Sequence, residues 1–262
     1  MMPREPFLRI RSGVEKRLQR LGAMRPRGLP AFLGIGAQKS GTTWLHARLR
    51  EHPSIFLPEE KEQHYFDWNF HRPLAGYAAE FRNAGTRLAG EITPGYAILP
   101  SERIDFISRV MPEVRIIYLM RDPVERAWSQ VVMNAVEIDG EDPAAIDDAA
   151  WLRRLGEPRV VRRGDHAAVL DAWSRRVPRD RIMVGWFEEI AEAPTDLLHR
   201  IHDFLGVERH TPVDSGVVRP GAGVPMPPGV RAGLVEMLHP QLEALANRYE
   251  GRCREWYERW CG

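Results

Sequence analysis

The chain has 262 residues, 44% of them hydrophobic and 28% charged, with a formal net charge of +1. This composition belongs to an ordinary globular protein and excludes a disordered or collagen-like chain. No apolar run approaches the roughly 20 residues that span a bilayer, and the two cysteines, Cys253 and Cys261, build neither a disulfide framework nor a CxxC metal pair, so a cytoplasmic location is the expectation.

The charge is uneven. Residues 1–30 carry eight Arg or Lys against Glu5 and Glu15, leaving 29 basic against 34 acidic residues in the remainder. Ile10, Val14, Leu18 and Leu21 fall at helical spacing within this basic arm. A packing arm or frayed tail is the preferred reading, ahead of an amphipathic helix touching an anionic membrane surface. Residues 31–262 show no linker, repeat or low-complexity tract and are expected to form one domain.

Residues 32–38 read as a buried strand, apolar throughout. A helix is expected from Thr42 to Arg50, ended by His52-Pro53. Short extended pieces follow at Ser54–Leu57 and Leu88–Ile92, then a helix capped by Ser101 and running to about Val110. Arg115–Met120 is the central strand. Asp122 caps the next helix, with Pro123 at its first position, through about Val136. Asp139–Arg163 reads as loop with some helix, Asp165–Arg176 as helix and Arg181–Trp186 as strand. Pro194–Leu205 is a helix stopped by Gly206, and its His199 and His202 are read as surface residues. Arg219–Gly229 is an irregular Pro/Gly loop, and Glu236–Trp260 a last helix broken at Pro240, with Trp256 and Trp260 on one buried face. Strands alternating with helices predict an α/β fold: a single P-loop-type domain whose central parallel sheet is flanked by helices on both faces.

Three segments carry chemistry. In Phe32–Leu45 a strand enters a tight loop and then a helix. Gly36 and Gly41 have the spacing of a nucleotide-binding P-loop, but Thr42 stands where an NTPase has its lysine, and the lysine sits earlier, at Lys39. Backbone N–H groups and the helix dipole make such a turn a phosphate cradle, and the displaced lysine argues against a γ-phosphate. In Arg121–Ser129 an arginine leaves a buried strand and a serine follows about two helical turns later, a pair able to hold a second phosphate. In Pro58–Asp67 four carboxylates, a lysine and a histidine crowd ten residues. If that segment is extended, Glu62 and His64 share a face, and the carboxylate could take a proton from a hydroxyl. A P-loop kinase using ATP and a non-catalytic nucleotide-binding module remain as alternatives.

In this order, the segments resemble the sulfotransferases that use 3′-phosphoadenosine 5′-phosphosulfate (PAPS). Gln38–Leu45 is similar to their 5′-phosphosulfate loop and Arg121–Ser129 to their 3′-phosphate site. Lys61-Glu-Gln-His-Tyr-Phe-Asp-Trp68 and Glu91-Ile-Thr-Pro-Gly-Tyr96 resemble the heparan sulfate 3-O-sulfotransferase branch. The resemblance implies that Lys39 contacts the bridging oxygen of the donor. It implies that Ser40, Gly41, Thr42, Thr43 and Trp44 bind the 5′-phosphate, and Arg121, Ser129 and Arg219 the 3′-phosphate region. Glu62 would be the general base with His64 assisting it, and Asp67 and Glu91 would contact the acceptor. The implied activity is sulfuryl transfer from PAPS to a hydroxyl of a small molecule or glycoconjugate, leaving 3′-phosphoadenosine 5′-phosphate (PAP). No metal and no nucleic-acid partner are expected. Two departures stand out: Ile92 occupies the place of that branch's lysine, which argues against a polysaccharide acceptor, and Arg163-Gly-Asp-His166 stands for the Arg-Gly-x-Tyr of many relatives.

Overall fold

The computed structural model describes residues 27–212 and 223–262; residues 1–26 of the basic arm, and Arg219, lie outside them. Five strands form one sheet in the order β2-β3-β1-β4-β5, and every pair is parallel. They are β1 (Phe32–Gly36), β2 (Ile55–Phe56), β3 (Leu88–Ile92), β4 (Arg115–Met120) and β5 (Ile182–Trp186).

Alternation along the central strands builds two cores. From β1, Leu33 and Ile35 point to one face and Phe32 to the other; from β4, Ile116, Tyr118 and Met120 oppose Ile117 and Leu119. The Phe32 side is covered by α1 (Thr42–Arg50), α8 (Glu189–Glu192) and α9 (Pro194–Leu205). The Leu33 side is covered by α2 (Leu74–Ala79), α3 (Ser101–Val110), α4 (Pro123–Met133), α5 (Asp148–Leu155), α6 (Pro158–Gly164), α7 (His166–Ser174), α10 (Pro228–Arg248) and α11 (Arg252–Cys261). Because both faces are covered, β1 and β4 are apolar almost throughout. After β1 the chain moves to β3 on one side and later to β4 on the other, so the order switches direction at β1. That switch opens a crevice at the C-terminal strand ends, where ligands of open parallel sheets bind.

Several expectations are corrected. Residues 139–163, read mostly as loop, hold α5 and α6. Ser101 is the first residue of α3 rather than its cap, and no side chain caps that helix. His202 is buried, with its ring centroid 4.6 Å from that of His52. The last helical region breaks at Gly251, in a left-handed conformation, and not at Pro240, which α10 carries inside it. A proline in a helix interior costs roughly 3 kcal/mol. Val230, Leu234, Leu238, Leu242 and Leu245 line the buried side of α10, and each fully buried aliphatic side chain contributes about 1.5–3 kcal/mol, so packing outweighs the missing hydrogen bond. Asp122 does cap α4, accepting from the N–H groups of Val124 and Glu125. Its second oxygen accepts from Trp260 Nε1 at 2.7 Å, which fastens α11 to the end of β4.

Because Pro240 is exposed, replacing it should restore a helix hydrogen bond without losing core contacts. Pro240→Ala is expected to stabilise the protein by about 1–3 kcal/mol and Leu238→Ala to destabilise it by about 2–5 kcal/mol, both read by urea unfolding.

Candidate active site

The loop after β1 is shaped by two left-handed residues, Lys39 (φ 69°) and Gly41 (φ 87°). A Cβ on Gly41 would run into Ile190 Cδ1, so the backbone approaches its neighbour closely there and only glycine fits. Gly41 occupies the N-cap of α1 and offers no capping side chain, so first-turn N–H groups point out of the helix end. Ser40 is fully buried, and its Oγ has no hydrogen-bond partner. An orphaned buried hydroxyl beside an uncapped helix start suits an anion that supplies the missing acceptor. The Trp44 side chain is buried in the α1 core with Leu45 and Leu49.

Arg121 emerges from the C-terminal end of β4. Its Nη1 donates to the carbonyl of Lys39 at 2.9 Å, and its guanidinium lies over the Phe187 ring, 4.3 Å from the centroid. Strand pairing places Met120 against Trp186, so Arg121 and Phe187 leave the sheet side by side. Nη2 of Arg121 is 4.0 Å from Glu125 of α4, and Ser129 is the next residue along that i, i+4 row. The Arg121 carbonyl is held by His166. Burial keeps His166 neutral, with its pKa down to about 3. A carbonyl only accepts, so Nε2–H of His166 donates to it at 2.8 Å, and Nδ1 accepts from the Tyr118 hydroxyl at 2.7 Å.

The segment before Trp68 is not extended as the period-2 reading requires. Glu62 (φ 65°) and His64 (φ 51°) both adopt left-handed backbone, a conformation that costs a non-glycine residue about 1–3 kcal/mol and gathers at functional sites. The two left-handed residues still bring their side chains together. Glu62 Oε2 is 3.4 Å from His64 Nε2, and Glu62 Oε1 is 2.7 Å from Lys61 Nζ. Lys61 Nζ also donates to Thr43 Oγ1 at 3.2 Å, which ties the segment to the start of α1. Asp67 is engaged within the segment. Its Oδ2 pairs with His64 Nδ1 at 2.8 Å and its Oδ1 accepts from the Trp68 N–H at 2.7 Å, so it orients His64. Trp68 stacks on the His64 ring at 3.7 Å with an interplanar angle of 8°.

Glu91 is corrected likewise. It is 2% exposed, and its two oxygens accept from the hydroxyls of Tyr77, Tyr96 and Thr93, so no oxygen reaches an open cleft. Arg163, quoted in the sequence only as part of a variant motif, joins the site instead. Its Nη1 donates to Gln38 Oε1 in the loop, and burial lowers its pKa against the opposing pull of Asp67 and Glu62. Lys61 was likewise visible in the acidic segment but carried no role of its own. Among the described residues no group of three His, Cys, Asp or Glu is arranged to hold a metal ion.

Electrostatics follow from these contacts. For Glu62, burial works against the charge, but the hydrogen bonds from His64 and Lys61 win and bring the pKa down to about 2. For His64, burial also opposes charge, and the hydrogen bonds to Asp67 and Glu62 raise the pKa to about 9. At neutral pH the cluster is therefore an imidazolium between two carboxylates, with an ammonium on the far side of one.

Residues 95–212 match the sulfotransferase family. Among curated relatives, mouse heparan sulfate glucosamine 3-O-sulfotransferase 3B1 is 29% identical over 192 residues, covering 69% of this chain and 47% of the relative. A membrane-associated sulfotransferase from Dictyostelium discoideum is 37% identical over 106 residues, covering 39% of this chain and 22% of the relative. The chain thus spans about half the length, or less, of these two relatives. A solved sulfotransferase from Alicyclobacillus acidocaldarius superposes with a TM-score of 0.68 at 24% identity, covering 86% of this chain and 99% of that one. A mouse sulfotransferase complexed with PAP gives 0.57 at 16% identity, covering 93% of each. These likenesses show the P-loop-like α/β fold. Among its described residues no helix is long and apolar enough to cross a membrane.

The raised His64 pKa makes stability depend on pH. The contribution is fully present below the ordinary value of 6.5 and is lost as pH rises through about 9. The stability difference between wild type and His64→Ala should therefore be largest near pH 6.5 and shrink by pH 9, as measured by chemical unfolding across that range.

Proposed function

We propose that this chain transfers a sulfuryl group from PAPS to an acceptor hydroxyl. One observation supports this above the others: Lys61 ties the Glu62 carboxylate to Thr43 at the phosphate loop, so a candidate base faces a candidate anion cradle. When bound, PAPS supplies a sulfuryl group whose transfer leaves PAP. The first-turn N–H groups of α1, with Ser40, Thr42 and Thr43, would hold its 5′-phosphate. Lys39 would offset charge on the oxygen that leaves, and Arg121 with Ser129 would hold the 3′-phosphate. Arg219 would add to that contact.

Glu62 takes the acceptor proton in this reading. A carboxylate held near 2 is a weak base, and Lys61 is one of the groups that hold it there. An anion at the loop competes for the Lys61 ammonium, and a carboxylate that loses this partner regains basicity. His64, fixed by Asp67, stays paired with Glu62 and keeps the carboxylate aimed. Positioning and charge stabilisation supply most of the rate in such an in-line displacement. No metal enters the reading, since β4 delivers Arg121 to the edge and not an aspartate. We further propose that residues 31–262 act as one domain, that the chain works in the cytoplasm without a nucleic-acid partner, and that the acceptor is a small molecule or glycoconjugate. The relatives named for heparan sulfate glucosamine favour a sugar hydroxyl, while Ile92 is buried in the core and adds no cation for a polyanionic chain.

Calorimetry should show PAP binding more tightly than 5′-AMP, and Arg121→Ala should remove about 1.5–3 kcal/mol of that preference. Equal affinity of the wild type for both nucleotides overturns the reading. Glu62→Gln should lower turnover of PAPS with a competent acceptor by about 10²–10⁴ while PAP binding persists; unchanged turnover removes Glu62 from the mechanism.

A further inference from the structure

Glu91, the penultimate residue of β3, is a buried carboxylate. Its Oε1 accepts from the Tyr77 hydroxyl and, at 3.0 Å, from the Tyr96 hydroxyl, and its Oε2 accepts from Thr93 Oγ1 at 2.8 Å. A carboxylate only accepts, so it forces each hydroxyl to point its single proton inward. Tyr96 is then left with lone pairs facing away from Glu91. The backbone N–H of Tyr65 donates to that oxygen at 2.8 Å and the N–H of Phe66 at 3.3 Å. Tyr65 and Phe66 are the two residues between His64 and Asp67.

Other contacts close on the same piece of chain. The Tyr77 ring stacks on Tyr65, with centroids 4.5 Å apart, and Phe66 packs edge-on against Tyr96 at 5.4 Å. Gly95 lies directly beneath Asp67: a Cβ there would collide with Asp67 Oδ2 and sit 3.7 Å from His64 Cε1. A buried carboxylate with three hydroxyl donors is a costly way to fill a core, and its ordered donors end on the segment where Glu62 and His64, neither of them glycine, adopt left-handed backbone. Such residues persist only where the surroundings over-determine them.

We propose that Glu91 and Tyr96 are positioning residues which, through the Tyr65 and Phe66 N–H groups, hold Glu62, His64 and Asp67 in their mutual geometry. Neither touches an acceptor or a donor. The catalytic consequence rests on the reading of Glu62 as base, but the positioning itself does not.

The test is the titration of His64, followed by NMR of the histidine ring and assigned by its loss in His64→Gln, with PAP affinity measured alongside. The groups facing that ring are Glu62, Asp67 and Trp68, with Gly95 beneath and Lys61 and Arg163 close to the two carboxylates. In Tyr96→Phe, His64 should titrate at least about one pH unit lower, since its carboxylate partners drift from it. Tyr77→Phe keeps the ring stack and also removes a hydroxyl from Glu91, but it leaves the segment's N–H groups bonded, so His64 should titrate as in wild type. Gly95→Ala, which presses on Asp67 directly, should lower the titration and serves as the second route if Tyr96→Phe does not fold. An unmoved titration in Tyr96→Phe, or in Gly95→Ala where that variant stands in, overturns the proposal. An equal shift in Tyr77→Phe also overturns it, because it marks a general loss of stability. The titration needs no sulfuryl donor, so wild type that fails to bind PAP defeats the functional reading and leaves this test intact.

Discussion

The Lys61 ammonium, held between Glu62 and Thr43, makes one site out of two segments that the sheet alone would only bring near each other. Thr43 belongs to the helix that starts at the anion cradle, and Glu62 to a loop that no strand pairing supports. With bonds of 2.7 and 3.2 Å to the two sides, the lysine sets where the carboxylate stands relative to the cradle. It also sets the carboxylate's charge state, since the same ammonium helps hold Glu62 ionised.

Around that link the protein spends polar groups in places where packing alone would be cheaper. Arg121 is held from three sides: by the Lys39 carbonyl, by the Phe187 face, and through its own carbonyl by neutral His166. Asp122, the next residue, fastens both the start of α4 and the C-terminal helix. Arg126 on α4 is fully buried, bonded to Gln130 and to the Val160 carbonyl, and burial brings its pKa down to about 9. A rigid second shell of this kind is what fixed charges need in order to act without reorganising.

Much of the scaffold was legible in the chain. The bounds of β3 and β4 and of the helix Thr42–Arg50 agree with expectation, because long apolar runs and glycine or proline punctuation are local signals. The site was legible in part. Lys39, Ser40, Gly41, Arg121, Glu62 and His64 were named from motif and chemistry, and the structure brings their segments to the same edge of the sheet. Glu91 was assigned an acceptor role that its burial among three hydroxyls rules out, and Asp67 is found paired with His64 and the Trp68 N–H. Their partners, Tyr77, Tyr96 and the Trp68 N–H, are set by tertiary packing or by a turn, and no spacing rule reveals them. Residues 139–163 were read as loop with some helix, without bounds, because the charged faces of α5 and α6 outnumber the few hydrophobic residues, Trp151, Leu155 and Val160, that they bury.

By itself the sequence determined the fold class and the strand–loop–helix turn that carries Lys39, Ser40 and Gly41, since each depends on residue types close to one another along the chain. Tertiary structure alone decided which carboxylate is tied to the start of α1 and which is walled into the core. That difference rests on contacts such as Lys61 with Thr43 and Glu91 with Tyr96. Glu62 and Glu91 are the same residue type, and the side chains packed against each one decide how much of its carboxylate stays open: Lys61 and His64 leave Glu62 partly exposed, while Tyr77, Thr93 and Tyr96 enclose Glu91.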